Sequence, residues 1–145
     1  RVDLLQLRHS ASRVIALLER EIARGIPAQR IALAGFSQGG AVAIEVALTC
    51  GRELAGLIAL STYFATAAST PAQPMAHALP VFIGHGTQDP IVPLSLGQRC
   101  RDDLVARGLL VEYHTYPMEH AVCPREIADI AAWLRRWLLR EPASV

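Results

Sequence analysis

The 145 residues have the length of a single domain, and 52% apolar with 19% charged residues is typical of a globular chain rather than a disordered one. A formal net charge of +1, with the basic residues scattered along the chain, argues against a nucleic-acid partner. The three cysteines lack any metal-binding spacing and predict reduced thiols in a cytoplasmic protein, and no apolar stretch is long enough for stable membrane insertion.

Apolar periodicity and turn residues divide the chain into alternating helices and strands. A first helix is predicted over residues 3–24, because apolar residues recur at helical spacing up to Gly25. Pro71 and Pro74, in a stretch without periodicity, predict a long loop over residues 62–79. The other predicted elements are, in chain order, a strand at 30–35, a helix at 41–50, strands at 54–60 and 80–85, a helix at 94–107, a strand at 109–116 and a helix at 124–140.

This alternation predicts an α/β fold. Consecutive parallel strands need crossover helices, so we expect a mostly parallel sheet with helices on both faces. No internal repeat and no second domain boundary is visible, and residues 1–145 are therefore interpreted as one domain.

The turn between the first strand and the second helix carries the strongest chemical signal. Residues 34–40 read Ala-Gly-Phe-Ser-Gln-Gly-Gly and contain the pattern G-x-S-x-G, which places Ser37 on a sharp turn as a nucleophile. The backbone N–H of Gln38 lies at a helix N-terminus and is predicted to stabilise an oxyanion. A dinucleotide site would need G-x-G-x-x-G and a P-loop would need a lysine, and neither is present here.

Two further residues complete a catalytic triad in the order Ser, Asp, His that this architecture requires. Asp89 follows the strand at 80–85 and His120 follows the strand at 109–116, so both are predicted at the same sheet edge as Ser37. The weaker alternatives that remain are Glu119 as the orienting acid and a metal site formed by His85, Asp89 and His120. The other acids and histidines considered are predicted to lie in helices, strands or the long loop, away from the site: Asp102, Asp103, Asp129, His9, His77 and His114.

Three segments resemble the carboxylesterase/acyl-protein thioesterase family of serine α/β-hydrolases, also called phospholipase/carboxylesterase, and its bacterial carboxylesterase branch in particular. They are Gly35-Phe36-Ser37-Gln38-Gly39-Gly40, the stretch from His85 to Pro93, and Pro117-Met118-Glu119-His120. The resemblance implies an α/β-hydrolase fold in which Ser37 is the nucleophile, Asp89 the orienting acid and His120 the general base, with Gln38 as one oxyanion donor. It further implies no cofactor and no metal.

Two departures from the family are visible. Glu119 stands where the family usually has a small residue before its catalytic histidine. The family also carries an early strand whose His-Gly-Leu-Gly-like turn supplies a second oxyanion donor, and nothing before the first helix corresponds to it. We therefore expect the chain to be the C-terminal two-thirds of a domain whose N-terminal strands are missing.

The resulting hypothesis is a serine hydrolase that cleaves short-to-medium acyl carboxylic esters, with thioesters and lysophospholipids left open as substrates. Phe36, Tyr63 and Phe64 are expected to line the acyl pocket, and a homodimer is left open. The alternatives are a non-catalytic remnant that lacks its oxyanion segment and an acyltransferase that uses the same triad.

Overall fold

The computed structural model describes residues 2–69 and 78–139. In chain order the elements are the helix α1 (Leu4–Ala23), a short 3-10 turn at Ala28–Arg30, the strand β1 (Ala32–Phe36), the helix α2 (Gln38–Thr49), the strands β2 (Gly56–Leu60) and β3 (Pro80–Gly86), the helix α3 (Leu94–Ala106), the strand β4 (Leu110–Tyr116) and the helix α4 (Pro124–Trp137). Every predicted helix and strand in the described part of the chain is present.

The strands form one parallel sheet in the spatial order β1-β2-β3-β4. Since parallel strands run in the same direction, their carboxyl ends meet at one edge of the sheet. That edge carries the residues that follow Phe36, Leu60, Gly86 and Tyr116.

Helices cover both faces of the sheet, as the sequence predicts. On one face α1, α2 and α3 bury the larger apolar core, which includes Leu18, Ile44 and Leu104. On the other face Trp133 of α4 packs with Ile58 and Phe82. Alternate residues of β3 point to opposite faces, so Phe82 contacts the α4 side and its neighbours Val81 and Ile83 join the larger core.

The structure differs from the sequence prediction mainly at the ends of elements. Helix α2 begins at Gln38 instead of residue 41, because the chain turns into the helix directly after Ser37. Strand β1 begins at Ala32, since Ala28–Arg30 form the 3-10 turn instead of extending the strand. Part of the predicted long loop, including Pro71, Pro74 and His77, lies outside the described residues.

No helix in the described ranges is long and apolar enough to cross a membrane. Cys50, Cys100 and Cys123 are all free thiols.

Candidate active site

Ser37 stands on a strained turn between β1 and α2. Its backbone has φ 56° and ψ −121°, a conformation that residues other than glycine rarely adopt. The turn is fixed by hydrogen bonds: Ser37 N–H donates to Leu60 O at 2.9 Å, and Ser37 O accepts from Gly40 N–H and from the Thr62 hydroxyl at 3.0 and 2.5 Å. The surrounding structure therefore holds Ser37 on a sharp strand-to-helix elbow between β1 and α2.

Two glycines make this turn sterically possible. A Cβ on Gly35 would overlap the backbone of Gly39 and Gly40, and a Cβ on Gly40 would overlap the Thr62 side chain. Gly39, the second glycine of the G-x-S-x-G pattern, faces open space. Gly35 and Gly40 are thus the glycines that allow β1, α2 and Thr62 to meet behind Ser37.

Gln38 is the first residue of α2. The first N–H groups of a helix have no acceptor within the helix, and they form the positive end of the helix dipole. The N–H of Gln38 is thus available to an anionic oxygen beside Ser37.

Asp89 lies in the turn after β3, and its side chain is buried. Its Oδ1 accepts hydrogen bonds from the N–H groups of Ile91 and Val92, both at 2.9 Å, and its Oδ2 lies 2.7 Å from His120 Nδ1. Burial alone would raise the pKa of Asp89, but the hydrogen bonds from His120, Val92 and Ile91 outweigh it and hold this pKa below its usual value. Asp89 is therefore held as a carboxylate that faces the imidazole of His120.

His120 lies on the loop that follows β4, and two contacts fix that loop. A Cβ on Gly86 would overlap the carbonyl groups of Met118 and Glu119, so the loop packs directly on the end of β3. Gln88 N–H also donates to Met118 O at 3.1 Å. The His120 ring lies against Phe36, with the ring centroids 4.7 Å apart, and this contact sets the imidazole beside the residue that precedes Ser37.

Within residues 2–69 and 78–139 the Ser37 hydroxyl donates no hydrogen bond. Catalytic hydrogen bonds are often long or poorly aligned in a free enzyme and shorten when substrate binds. The elbow, Asp89 and His120 nevertheless lie at one edge of the sheet, as their positions in the sequence predict.

The remaining residues predicted for substrate binding fall in different surroundings. Phe36 is partly exposed and contacts His120. Tyr63 lines a cavity of about 290 Å³ that Gln38, Val42 and Leu7 also line. Phe64 instead packs against the larger core beneath the guanidinium of Arg107.

The alternative acids and histidines are engaged elsewhere. Glu119 is exposed, Asp102 is paired with Arg101, Asp129 accepts from the Tyr116 hydroxyl, and His114 is paired with Glu112. Within the part of the chain that the structure describes, no cluster of three or more His, Cys, Asp or Glu side chains is arranged to hold a metal ion.

Thr62 is a residue of the site that sequence reasoning missed. Its hydroxyl donates to Ser37 O and its side chain fills the space that Gly40 leaves, so it supports the elbow from behind. The signal in the sequence was its position two residues after the carboxyl end of β2, the strand that pairs with β1.

Comparison with known protein families matches residues 3–138 to the family described as Phospholipase/Carboxylesterase. Acyl-protein thioesterase 1 of Cryptococcus neoformans is 40% identical over 134 residues, which cover 81% of this chain and 56% of that protein. Acyl-protein thioesterase 1 of Mycosarcoma maydis is 43% identical over 118 residues, which cover 77% of this chain and 49% of that protein. The chain thus spans about half the length of these relatives.

Solved structures agree with the sequence matches. Arabidopsis thaliana SOBER1 superimposes with a TM-score of 0.85 at 27% identity, over 95% of this chain and 67% of SOBER1. Zea mays acyl-protein thioesterase 2 gives a TM-score of 0.78 at 25% identity, over 91% of this chain and 64% of the maize protein. The α/β-hydrolase fold expected from the resemblance is confirmed, whereas the bacterial branch stays a prediction.

Proposed function

Because the chain belongs to the phospholipase/carboxylesterase family, we propose that it is a serine hydrolase that cleaves carboxylic esters through an acyl-enzyme on Ser37. The observation that carries the proposal is the 2.7 Å contact between Asp89 Oδ2 and His120 Nδ1, formed beside a serine on a strained elbow. A triad is recognised by this geometry and these roles, because the same constellation serves acyl transfer on several folds.

The proposed reaction has two steps. In the first, His120 Nε2 accepts the proton of the Ser37 hydroxyl as Oγ attacks the ester carbonyl, and then donates it to the departing alcohol or thiol. In the second, a water molecule gives a proton to His120 and its oxygen attacks the acyl-enzyme carbonyl. His120 then returns this proton to Ser37 Oγ as the bond between Oγ and the acyl carbon breaks, which releases the acid and restores Ser37. Asp89 keeps Nδ1 protonated and stabilises the imidazolium in both steps.

Gln38 supports the charge that develops in each step. Its N–H, at the positive end of α2, would donate to the oxyanion of the tetrahedral intermediate. The cavity beside Gln38 that Tyr63, Val42 and Leu7 line would take a short-to-medium acyl chain. Phe36 is not one of the residues that line this cavity and contacts His120 instead. We propose oxygen esters as the main substrates. Acyl thioesters are a second proposed substrate class, because both fungal relatives are named acyl-protein thioesterases.

The proposal is tested by labelling the folded protein with a fluorophosphonate probe, which reacts with activated serines. We expect labelling at Ser37 with loss in Ser37→Ala, and hydrolysis of p-nitrophenyl butyrate and octanoate with the same dependence on Ser37. Circular dichroism of both proteins controls for folding. A folded protein that neither reacts with the probe nor hydrolyses these esters would contradict the proposal.

A second candidate, a non-catalytic member of the family, is favoured by one observation. In residues 2–69 and 78–139 the elbow offers one oxyanion donor that we can assign, Gln38 N–H, and the loss of one such donor costs on the order of 10²- to 10³-fold in rate. A folded protein whose Ser37 does not react with the probe and that shows no ester turnover would favour this candidate. The predictions of a homodimer, of a cytoplasmic location and of no nucleic-acid partner stay predictions.

A further inference from the structure

His85 is a fully buried imidazole to which the proposed reaction assigns no role. It lies in β3, four residues before Asp89, and its side chain is completely shielded from solvent. Its ring packs against Gly97 of α3 so closely that a Cβ there would overlap the imidazole. A polar ring in such a place needs hydrogen bonds that compensate its burial.

The position of its proton follows from its one hydrogen bond. His85 Nε2 lies 2.8 Å from Val92 O, and since a carbonyl oxygen only accepts, Nε2 must carry the proton. Nδ1 is buried and has no hydrogen-bond partner in the described part of the chain, which suits a neutral ring with a bare Nδ1. His85 Nε2 also lies 3.7 Å from Asp89 Oδ2, which is too far for a hydrogen bond.

Val92 is consequently held from both sides. Its N–H donates to Asp89 Oδ1 at 2.9 Å, while its carbonyl accepts from His85 at 2.8 Å. With Ile91 N–H, this arrangement occupies Oδ1 and leaves Oδ2 to His120. The backbone of Val92 therefore links His85 to the carboxylate of Asp89.

We propose that His85 is a positioning residue of the triad, whose bond to Val92 O sets the orientation in which Asp89 meets His120. This inference rests on the proposed function. A shift of about 1 Å in a supporting element can reduce a rate about 10²-fold, so loss of this single bond is expected to lower turnover without weakening substrate binding.

The test compares His85→Leu, which cannot donate, with His85→Gln, whose amide nitrogen can reach the position of Nε2. We expect kcat for p-nitrophenyl butyrate to fall 10- to 100-fold in the Leu variant with KM changed less than about twofold, and the Gln variant to recover most of the loss. Urea unfolding of both variants shows whether stability and kcat change together. Equal kcat in the Leu variant and the parent, or equal losses in both variants, would overturn the proposal.

A second readout does not depend on turnover. The proton between His120 Nδ1 and Asp89 Oδ2 is expected to give a far-downfield NMR signal, assigned by its loss in His120→Gln. It should weaken in His85→Leu and return in His85→Gln, and an unchanged signal in the Leu variant would overturn the proposal. If the parent protein gives this NMR signal but does not react with the fluorophosphonate probe, the result contradicts the proposed function and leaves the role of His85 standing. If neither the Leu variant nor the Gln variant folds, His85 has a purely structural role and the proposal is overturned.

Discussion

The glycine that precedes the elbow has no room for a side chain. The overlap that a Cβ on Gly35 would make is with backbone atoms of Gly39 and Gly40, which cannot rotate away. We expect Gly35→Ala to lower the free energy of unfolding by about 3 kcal/mol, the upper end of the usual cost of overpacking. Equilibrium urea unfolding measures this difference.

Gly39→Ala is the matched control, because the same added methyl group meets open space and the residue is helical. Alanine in a helix is favoured over glycine by up to about 1 kcal/mol, so this variant is expected to be as stable as the parent or slightly more stable. If both substitutions destabilise the protein equally, the close contact of Gly35 with the backbone of Gly39 and Gly40 is not the reason that position 35 needs glycine.

Asp89 is expected to be essential for rate and not for substrate binding. In Asp89→Asn the amide oxygen can still accept from Ile91 and Val92, but an NH₂ group then faces His120 and favours the wrong tautomer of the imidazole. We expect kcat for p-nitrophenyl esters to fall roughly 10³- to 10⁴-fold with little change in KM.

Asp102→Asn serves as the control for Asp89→Asn, because Asp102 is an exposed carboxylate of α3 that is paired with Arg101. Its kcat should equal that of the parent protein. A loss of less than tenfold in Asp89→Asn would assign the orienting role to another group.

The first turn of α4 holds a buried acid. Glu126 is fully shielded, its carboxyl packs against Gly84 of β3, and both of its oxygens lack a hydrogen-bond partner among the described residues. Burial, followed by the nearby charge of Asp129, raises the pKa of Glu126 to about 7. Another polar group near this turn is the hydroxyl of Tyr116, which donates to Asp129.

This acid makes stability depend on pH. The pKa of Glu126 is raised in the folded state, so its contribution is fully present below about pH 4.5 and is lost as the pH rises toward 7. Glu126→Gln cannot ionise, so the unfolding free energy of the variant relative to the parent is expected to rise between pH 5 and pH 8, by on the order of 3 kcal/mol. Urea unfolding at the two pH values measures this change.

Glu19→Gln is the control, because the Glu19 carboxyl keeps its charge over this pH range. The hydrogen bonds from Arg52 lower the pKa of Glu19, so Glu19 is ionised at both pH values. The Arg52 guanidinium also stays charged, so the difference between Glu19→Gln and the parent should be the same at pH 5 and pH 8. A Glu126→Gln difference that also stays constant would show that Glu126 is ionised in the folded protein.

The elements with a strong local signal were predictable from the sequence. Buried strands are short apolar runs between turn residues, and the order of Ser37, Asp89 and His120 along such strands predicts where they meet. Glu126 was not predictable in the same way, because an acid in the first turn of a helix is normally exposed and stabilises the dipole. Its burial depends on the space that Gly84 leaves on a distant strand.

The first residue of α2 also could not be predicted from local sequence patterns. Gly39 and Gly40 are poor helix formers, and periodicity alone starts the helix at residue 41. The helix begins at Gln38 because the elbow requires it, through the bonds of Ser37 to Leu60 and Thr62 on the neighbouring strand and its loop. Contacts between segments distant in sequence decide such details, and a single sequence does not display them.

Strand β1 lies at the end of the described sheet and has only β2 as a neighbour there. Ile31 O and Ser37 N bond to β2, and successive residues of a strand point their N–H groups to opposite sides. The N–H groups of Ala32, Ala34 and Phe36 therefore point to the free edge. Such an edge is a template for another strand, and we propose that further strands of the same domain pair with it in the complete protein.

Amide hydrogen exchange tests this proposal directly. In the 145 residues alone, the amides of Ala32, Ala34 and Phe36 are expected to exchange near the rate of an unstructured peptide, while those of Leu33 and Gly35, which face β2, are protected. In a longer form of the protein that includes the added strands, all five amides should be protected. If the amides of Ala32, Ala34 and Phe36 are protected in the 145-residue chain at every protein concentration, the result contradicts a free edge. If their protection grows with protein concentration, a second copy of the chain pairs with β1 instead.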